Sequence, residues 1–313
     1  MLIFQEAALV LREMHGINVV DFALVYEPSN PVVADPAFSH INADNFSLHL
    51  STVLPTVQFN RYLGSLLIFD SHGFLDSFIA DNARVYHTWP PRILYAGREY
   101  LFYYCLNTLF YGFFEERGYL PALIPREVVR TWARGFIREH AGSLSAATVQ
   151  LRKNSKTPER NSKYDCWLEF FRYCAEKRPI KFFVICAPSE IDPRLRQLPN
   201  VVVAKDHFTT LEQDLALIET ADFHMGTASG PSTIAQFNRK PYCVFSWKIN
   251  PELFRGVTRH NHRHRFYFST EFQNWISDEE TTESLISEFE YLLAGLGQGN
   301  QQNVSAVNRQ ISR

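Results

Sequence analysis

Residues 211–245 read LEQDLALIETADFHMGTASGPSTIAQFNRKPYCVF, and how this stretch is parsed decides the fold. A helical pattern ends near Thr220, and a short apolar run follows at 223–225. The turn-forming residues Ser229, Gly230, Pro231 and Ser232 come next, then a second helical pattern at 232–238 and an apolar run at 242–245. Apolar runs alternating with helical patterns predict βαβ units, hence a parallel sheet with helices on both faces. The alternation continues upstream: strands at 148–151, 181–186 and 201–204, with helices at 164–176, near 192–197 and at 210–220. This unit is expected to span 145–275.

The first half is also α/β but less regular, with a helix at 2–14, strands at 19–26 and 65–69, and helices at 99–114 and 126–139. Residues 138–145, REHAGSLS, interrupt two periodic segments and mark the expected boundary between an N-terminal domain, 1–140, and the C-terminal one. A last helix opens on Asp278, Glu279 and Glu280, which suit a helix N-terminus. It carries Leu285, Ile286, Phe289, Leu292 and Leu293 at helical spacing and is expected to fold back on the body over 276–296. Beyond Gly295 the sequence turns polar, and 297–313 reads as a disordered tail.

The 313 residues are 46% hydrophobic and 20% charged, ordinary for a globular chain of about two domains. A net charge of -2 gives no general attraction to nucleic acid, so anion binding must come from local clusters. The five cysteines form no CxxC pair and sit mostly in apolar runs, which reads as reduced thiols in a cytoplasmic protein. The opening MLIFQEAALVLREMHG has acidic residues in its apolar run and no basic leader, which predicts an amphipathic helix rather than a signal peptide. Residues 100–114, YLFYYCLNTLFYGFF, are too few to cross a bilayer, which takes about 20. They read as a core helix, with a peripheral membrane contact as the alternative.

Two loops suit an anion. Ser229-Gly230-Pro231-Ser232 lies where a strand meets a helix, and ligands of open parallel sheets bind beyond the carboxyl ends of strands. Gly230 permits close backbone approach, Ser229 and Ser232 bring hydroxyls, and Thr227, just upstream, is a further substrate-binding candidate. The plain alternative is a strand-to-helix turn with a Ser cap. The second loop, in TVQLRKNSKTPERN, places Arg152 and Lys153 just past a strand, then Lys156, Arg160 and Asn161 before the next helix. Arginine at a strand tip can hold a phosphate bidentately at any relevant pH.

The strand-tip Arg152, the Arg160-Asn161 pair, the helix with Trp167 and the run 211–245 resemble the C-terminal donor-binding domain of GT-B glycosyltransferases. Within that group the likeness is to fucosyltransferase-like enzymes and related bacterial surface-glycan transferases. The resemblance covers about a third of the chain, residues 145–250. It implies two Rossmann-like domains facing across a cleft, the N-terminal one abridged here, and a nucleotide-sugar donor with a glycan or glycoconjugate acceptor. By that resemblance Arg152 holds the diphosphate, Ser229, Gly230 and Ser232 line it, and Asp206 or Glu212 lies near the nucleoside. Gln150 stands where fucosyltransferases commonly have His. The alternative functions are a GT-B epimerase acting on the donor itself and a non-catalytic nucleotide-binding scaffold.

Inverting transfer needs a base for the acceptor hydroxyl and positive charge for the leaving diphosphate. Asp70 and His72 follow the strand SLLIF and are the candidate base, against a plain strand-ending turn capped by Asp70. The run RGVTRHNHRHRFYF, 255–268, read as one extended strand, puts His260, His262 and His264 on one face and Arg259, Arg263 and Arg265 on the other. It predicts an anion-binding cleft edge rather than a zinc site. With no DxD pair, neither metal nor cofactor is expected.

Overall fold

The computed structural model describes residues 2–25, 46–86, 88–89, 103–155, 158–245 and 254–311. Tyr26, the start of the aromatic segment at 100–102, and Lys156 lie outside the described residues. The chain divides into two units, Met1–Leu123 and Ile124–Arg313.

In the first unit α1 (Leu2–His15) leads into β1 (Val20–Val25), then α2 (Phe46–Val57), β2 (Leu63–Phe69) and α3 (His72–Asp81). β1 and β2 pair in parallel, with Asp21 Oδ1 accepting from the backbone N of Ser65 at 2.6 Å. The middle of α1 is buried on all sides rather than along one face, from Gln5 to Val10, and burial pushes the carboxyl of Glu6 well above its usual range. The described part of the aromatic segment is a π-helical turn, Cys105–Phe110, running into α4 (Tyr111–Arg117), which Gly118 ends in the left-handed conformation. Cys105, Leu106, Leu109, Phe110 and Phe113 are buried, so the core reading applies to these residues. No helix among the described residues is long and apolar enough to cross a membrane.

The second unit begins with α5 (Glu127–Ala141), earlier than the sequence boundary at 138–145. This helix packs within the second unit, and two ion pairs join it to α7 (Leu211–Thr220): Arg126 Nη2 to Glu212 Oε1 at 2.8 Å and Arg130 Nε to Glu219 Oε2 at 3.0 Å. The remaining strands are β3 (Ser145–Gln150), β4 (Ile180–Ile185), β5 (Val201–Val203), β6 (Phe223–Thr227), β7 (Tyr242–Phe245), β8 (Thr258–His260), β9 (Arg263–Arg265) and β10 (Gln273–Ile276). They form one eight-stranded sheet in the order β5-β4-β3-β6-β7-β10-β9-β8, parallel from β5 through β10 and antiparallel beyond. The helices between them are α6 (Tyr164–Lys177), α7, the single turn α8 (Thr233–Gln236) and the long α9 (Thr282–Ile311).

Strands covered on both faces read as unbroken apolar runs, and the alternation of side chains sorts them. Ala147, Val149, Phe182, Val184, Phe223 and Met225 share a core with Trp167, Phe170 and Phe171 of α6 and Phe289 of α9. Ring centroids there stand 5.0–6.1 Å apart in tilted and edge-on pairs, as ring quadrupoles favour. On the opposite face Phe183 meets Phe136 of α5 at 5.8 Å.

Two expectations are corrected. The last helix does not stop at 296, since α9 runs to Ile311. Gly295 does not end the helix but lies inside it, where a Cβ would come 2.4 Å from the ring of Phe272, so only glycine lets that ring close on the helix. The basic run is not one strand: Asn261, at φ 55°, turns β8 back onto β9. Cross-strand partners share a face, and here Arg259 faces His264 while His260 faces Arg263. The three arginines are therefore split between two faces.

Candidate functional site

From β3 the chain moves outward to β4 and β5, then returns to place β6 against the other side of β3 and continues outward to β7. The order reverses between β3 and β6, and in open parallel sheets the crevice beyond that reversal is where ligands bind. Both anion-suited loops stand there: Arg152 past the end of β3, and Ser229-Gly230 past the end of β6.

β3 and β6 pair at Gln150 and Gly226, and Gly226 takes a φ of 144° that only glycine adopts readily. A Cβ there would lie 2.3 Å from the backbone O of Gln150. Gly226 rather than Gly230 is the glycine that the geometry requires; around Gly230 no atom lies within 4 Å of an added Cβ.

Arg152 is half-buried, and burial, then the neighbouring Arg160, hold its guanidinium below the usual range, with Glu190 and Glu159 opposing. Arg160 is exposed and reaches the backbone O of Ala228 at 3.4 Å, tying the second loop to the first. Ser229 Oγ and Gln150 Oε1 are buried and find no hydrogen-bond partner among the described residues. Such orphaned polar atoms are rare and call for a ligand or water. Beside these strand ends lies a cleft of ≈ 140 Å³ whose lining is mixed in charge, with Arg160 and Lys163 against Glu159, Asp278, Glu279 and Glu280.

Other expected contacts are taken up by the protein. Ser232 is fully buried and its Oγ lies 3.1 Å from His224 Nε2, while His224 Nδ1 lies 3.0 Å from Thr148 Oγ1. The helix it introduces is one turn, and the N–H groups of Thr233, Ile234 and Ala235 donate to Gly230, Pro231 and Ser232. The free helix N-terminus expected from the sequence is absent there. Asn161 spends its amide on the backbone N and O of Asn154, closing its own loop. Lys153 Nζ sits 5.9 Å over the ring of Tyr164. Asp206 is clamped by Arg196, two contacts of 2.7 Å, and Glu212 by Arg126, so both carboxylates offered to a nucleoside are in ion pairs.

The basic hairpin is likewise committed. Arg263 bonds Glu288 at 2.9 Å and stacks 3.7 Å over Tyr291, Arg265 bonds Asn274 Oδ1 at 2.9 Å, and exposed Arg259 bonds the backbone O of Asn261 at 2.9 Å. Among the described residues no group of three or more His, Cys, Asp or Glu is placed to hold a metal ion. In the first unit Asp70 and His72 are exposed at the end of β2 and the start of α3, where Ser71, not Asp70, caps the helix by accepting from the N of Phe74 at 3.3 Å.

Sequence reasoning missed Ser162, His224, Gly226 and Glu280. Glu280 was visible only as the third acidic residue before the last helix, where it reads as a response to the helix dipole.

No protein-family model matches the sequence, and no curated protein does. Solved structures do. A family 9 glycosyl transferase from Veillonella parvula DSM 2008 superposes with a TM-score of 0.55 over 94% of this chain and 94% of its own, at 13% identity. The chain is folded like a glycosyltransferase. An E. coli structure described as ADP-heptose lps heptosyltransferase II gives a TM-score of 0.53 over 95% of this chain and 96% of its own, at 10% identity. The likeness is one of fold, and it agrees with the α/β, glycosyltransferase-like fold class expected from the sequence. Neither neighbour is described as a fucosyltransferase, so the GT-B likeness carries over and the narrower one does not.

Proposed function

We propose that this protein transfers a sugar from a nucleotide-diphosphate donor to a hydroxyl of a glycan or glycoconjugate acceptor, holding the diphosphate beyond the ends of β3 and β6. The observation that carries the reading is the meeting, at the point where strand order reverses, of Arg152 and Arg160 with the orphaned polar groups of Gln150 and Ser229. Two guanidiniums near one another repel unless an anion lies between them, and that same charge would stabilise the diphosphate as it leaves. Ser229 Oγ and the open backbone at Gly230 complete the cradle. Asp70 or His72 serves as base for the acceptor hydroxyl in this reading. A lipid-carried acceptor would bring the chain to a membrane surface as a peripheral contact; otherwise it acts in the cytoplasm.

Because one structural neighbour is described as acting with ADP-heptose, ADP-heptose is the first donor to test, followed by GDP- and UDP-linked sugars. Nucleoside diphosphate release that depends on an added acceptor is the expected result. Turnover of the donor without acceptor would indicate the epimerase instead, binding without turnover the scaffold, and failure to bind any nucleoside diphosphate would overturn the reading.

A further inference from the structure

Glu280 stands just ahead of α9 and is buried, a place where a carboxylate is unfavourable unless donors surround it. They do. Its Oε2 accepts from the backbone N of Lys163 at 2.6 Å and from Trp167 Nε1 at 3.1 Å, and its Oε1 accepts from Thr227 Oγ1. Thr227 Oγ1 in turn lies 2.5 Å from Ser162 Oγ. Ser162 holds the backbone of Arg152 on both sides: its Oγ accepts from Arg152 N at 2.9 Å and its N donates to Arg152 O at 2.9 Å.

The proton order along this relay follows from what each end can do. An amide N only donates and an ionised carboxylate only accepts. Ser162 therefore accepts from Arg152 and gives its own proton to Thr227, which gives its proton to Glu280. A chain of hydroxyls between such ends has one orientation, and its last bond is charge-assisted. We infer that Glu280 is a positioning residue for Arg152, fixing through Thr227 and Ser162 the strand tip from which the guanidinium reaches the diphosphate. The inference rests on the diphosphate site proposed above.

Burial raises the carboxyl of Glu280 above its usual range although three donors pull it down, so the ionised group is a net burden on folding. An apolar residue in its place would leave those three donors unsatisfied. What the carboxylate supplies is direction. Misplacing a binding group by about 1 Å can lower a rate roughly 100-fold.

The test is titration calorimetry of the full chain with ADP, GDP and UDP. For whichever diphosphate binds, Arg152→Ala should weaken affinity, which tests the site itself. Thr227→Val keeps the shape and removes the hydroxyl; it should weaken the same ligand by about fivefold or more, while Thr227→Ser stays within about twofold of the parent. The deciding comparison is the double variant Arg152→Ala/Thr227→Val, expected to bind no more weakly than Arg152→Ala alone, because the relay acts only through Arg152. Glu280→Gln places an amide among donors and should match Thr227→Val without adding to it; if that variant fails to fold, the Thr227 pair still decides. Additive effects, or unchanged affinity in Thr227→Val while Arg152→Ala binds poorly, overturn the positioning role and leave the site standing. No binding of any diphosphate by the parent chain, or full binding by Arg152→Ala, overturns both.

Discussion

His224 Nε2 and Ser232 Oγ lie 3.1 Å apart in the interior of the second unit, and the other nitrogen of the same ring reaches Thr148 Oγ1 on the neighbouring strand at 3.0 Å. One imidazole thus joins β3 to the turn that follows β6. Burial lowers its pKa to about 3, so the ring is neutral and must donate at one nitrogen and accept at the other.

A pH signature follows from that depressed value. The unfolded chain takes up a proton near 6.5 and the folded one near 3, so the contribution of His224 to stability is full above pH 6.5 and is lost as pH falls toward 3. By pH 3 the loss should reach about 4 kcal/mol. His224→Gln keeps a donor and an acceptor but has no proton to gain, so its urea-unfolding free energy should vary less over that window. Equal slopes for the two proteins would show that the ring is not buried neutral.

Ser232→Ala leaves His224 Nε2 without its partner. Unfolding free energy should fall by about 1–3 kcal/mol, while affinity for a nucleoside diphosphate should fall less than in Arg152→Ala. The reverse pattern would return Ser232 to the ligand.

The two glycines near the site should behave oppositely. Gly226→Ala meets the backbone of Gln150 and adopts a backbone angle that side chains rarely take, so it should destabilise by about 2–6 kcal/mol. Gly230→Val has open space and should leave the unfolding free energy within about 0.5 kcal/mol of the parent while hindering diphosphate binding. Thermal and calorimetric titrations of both variants separate the scaffold from the cradle.

Arg263→Ala strips one partner from Glu288, whose side chain is 2% exposed, and leaves it with His262 at 2.7 Å. A loss of about 3 kcal/mol is expected, with unchanged nucleotide affinity. Lower affinity in a stable Arg263→Ala protein would place the hairpin back at the ligand.

The sheet was legible because its strands are covered on both sides: KFFVIC, VVVA and YCVF have no polar face to blur them, and the helices between carry Leu215 and Trp167 at helical spacing. Arg152, Arg160, Ser229 and Thr227 were also legible as a group, since chain order alone puts strand tips together in a parallel sheet. What the sequence hid is the choice of partner. Ser232, Asn161 and Asp206 have the chemistry of ligand-binding residues, and only the folded turns that bring back His224, Asn154 and Arg196, each within ten residues along the chain, decide that the protein uses it internally. The hairpin was hidden for a different reason: Asn261 takes a left-handed angle inside a run whose alternation continues on both sides of it.

That hairpin leaves β8 as the outermost strand of the sheet, three residues long, with Thr258, Arg259 and His260 all exposed. An outermost strand offers unpaired N–H and C=O groups to any strand that drifts alongside, including the same strand of another molecule. Strands in a new ladder lie about 5 Å apart, so two copies docking there would bring their Arg259 side chains alongside one another, where like charges repel. The exposed charge of Arg259 therefore works against a second copy pairing along this edge, and Arg259→Ala is expected to raise the tendency to self-associate in a concentrated sample.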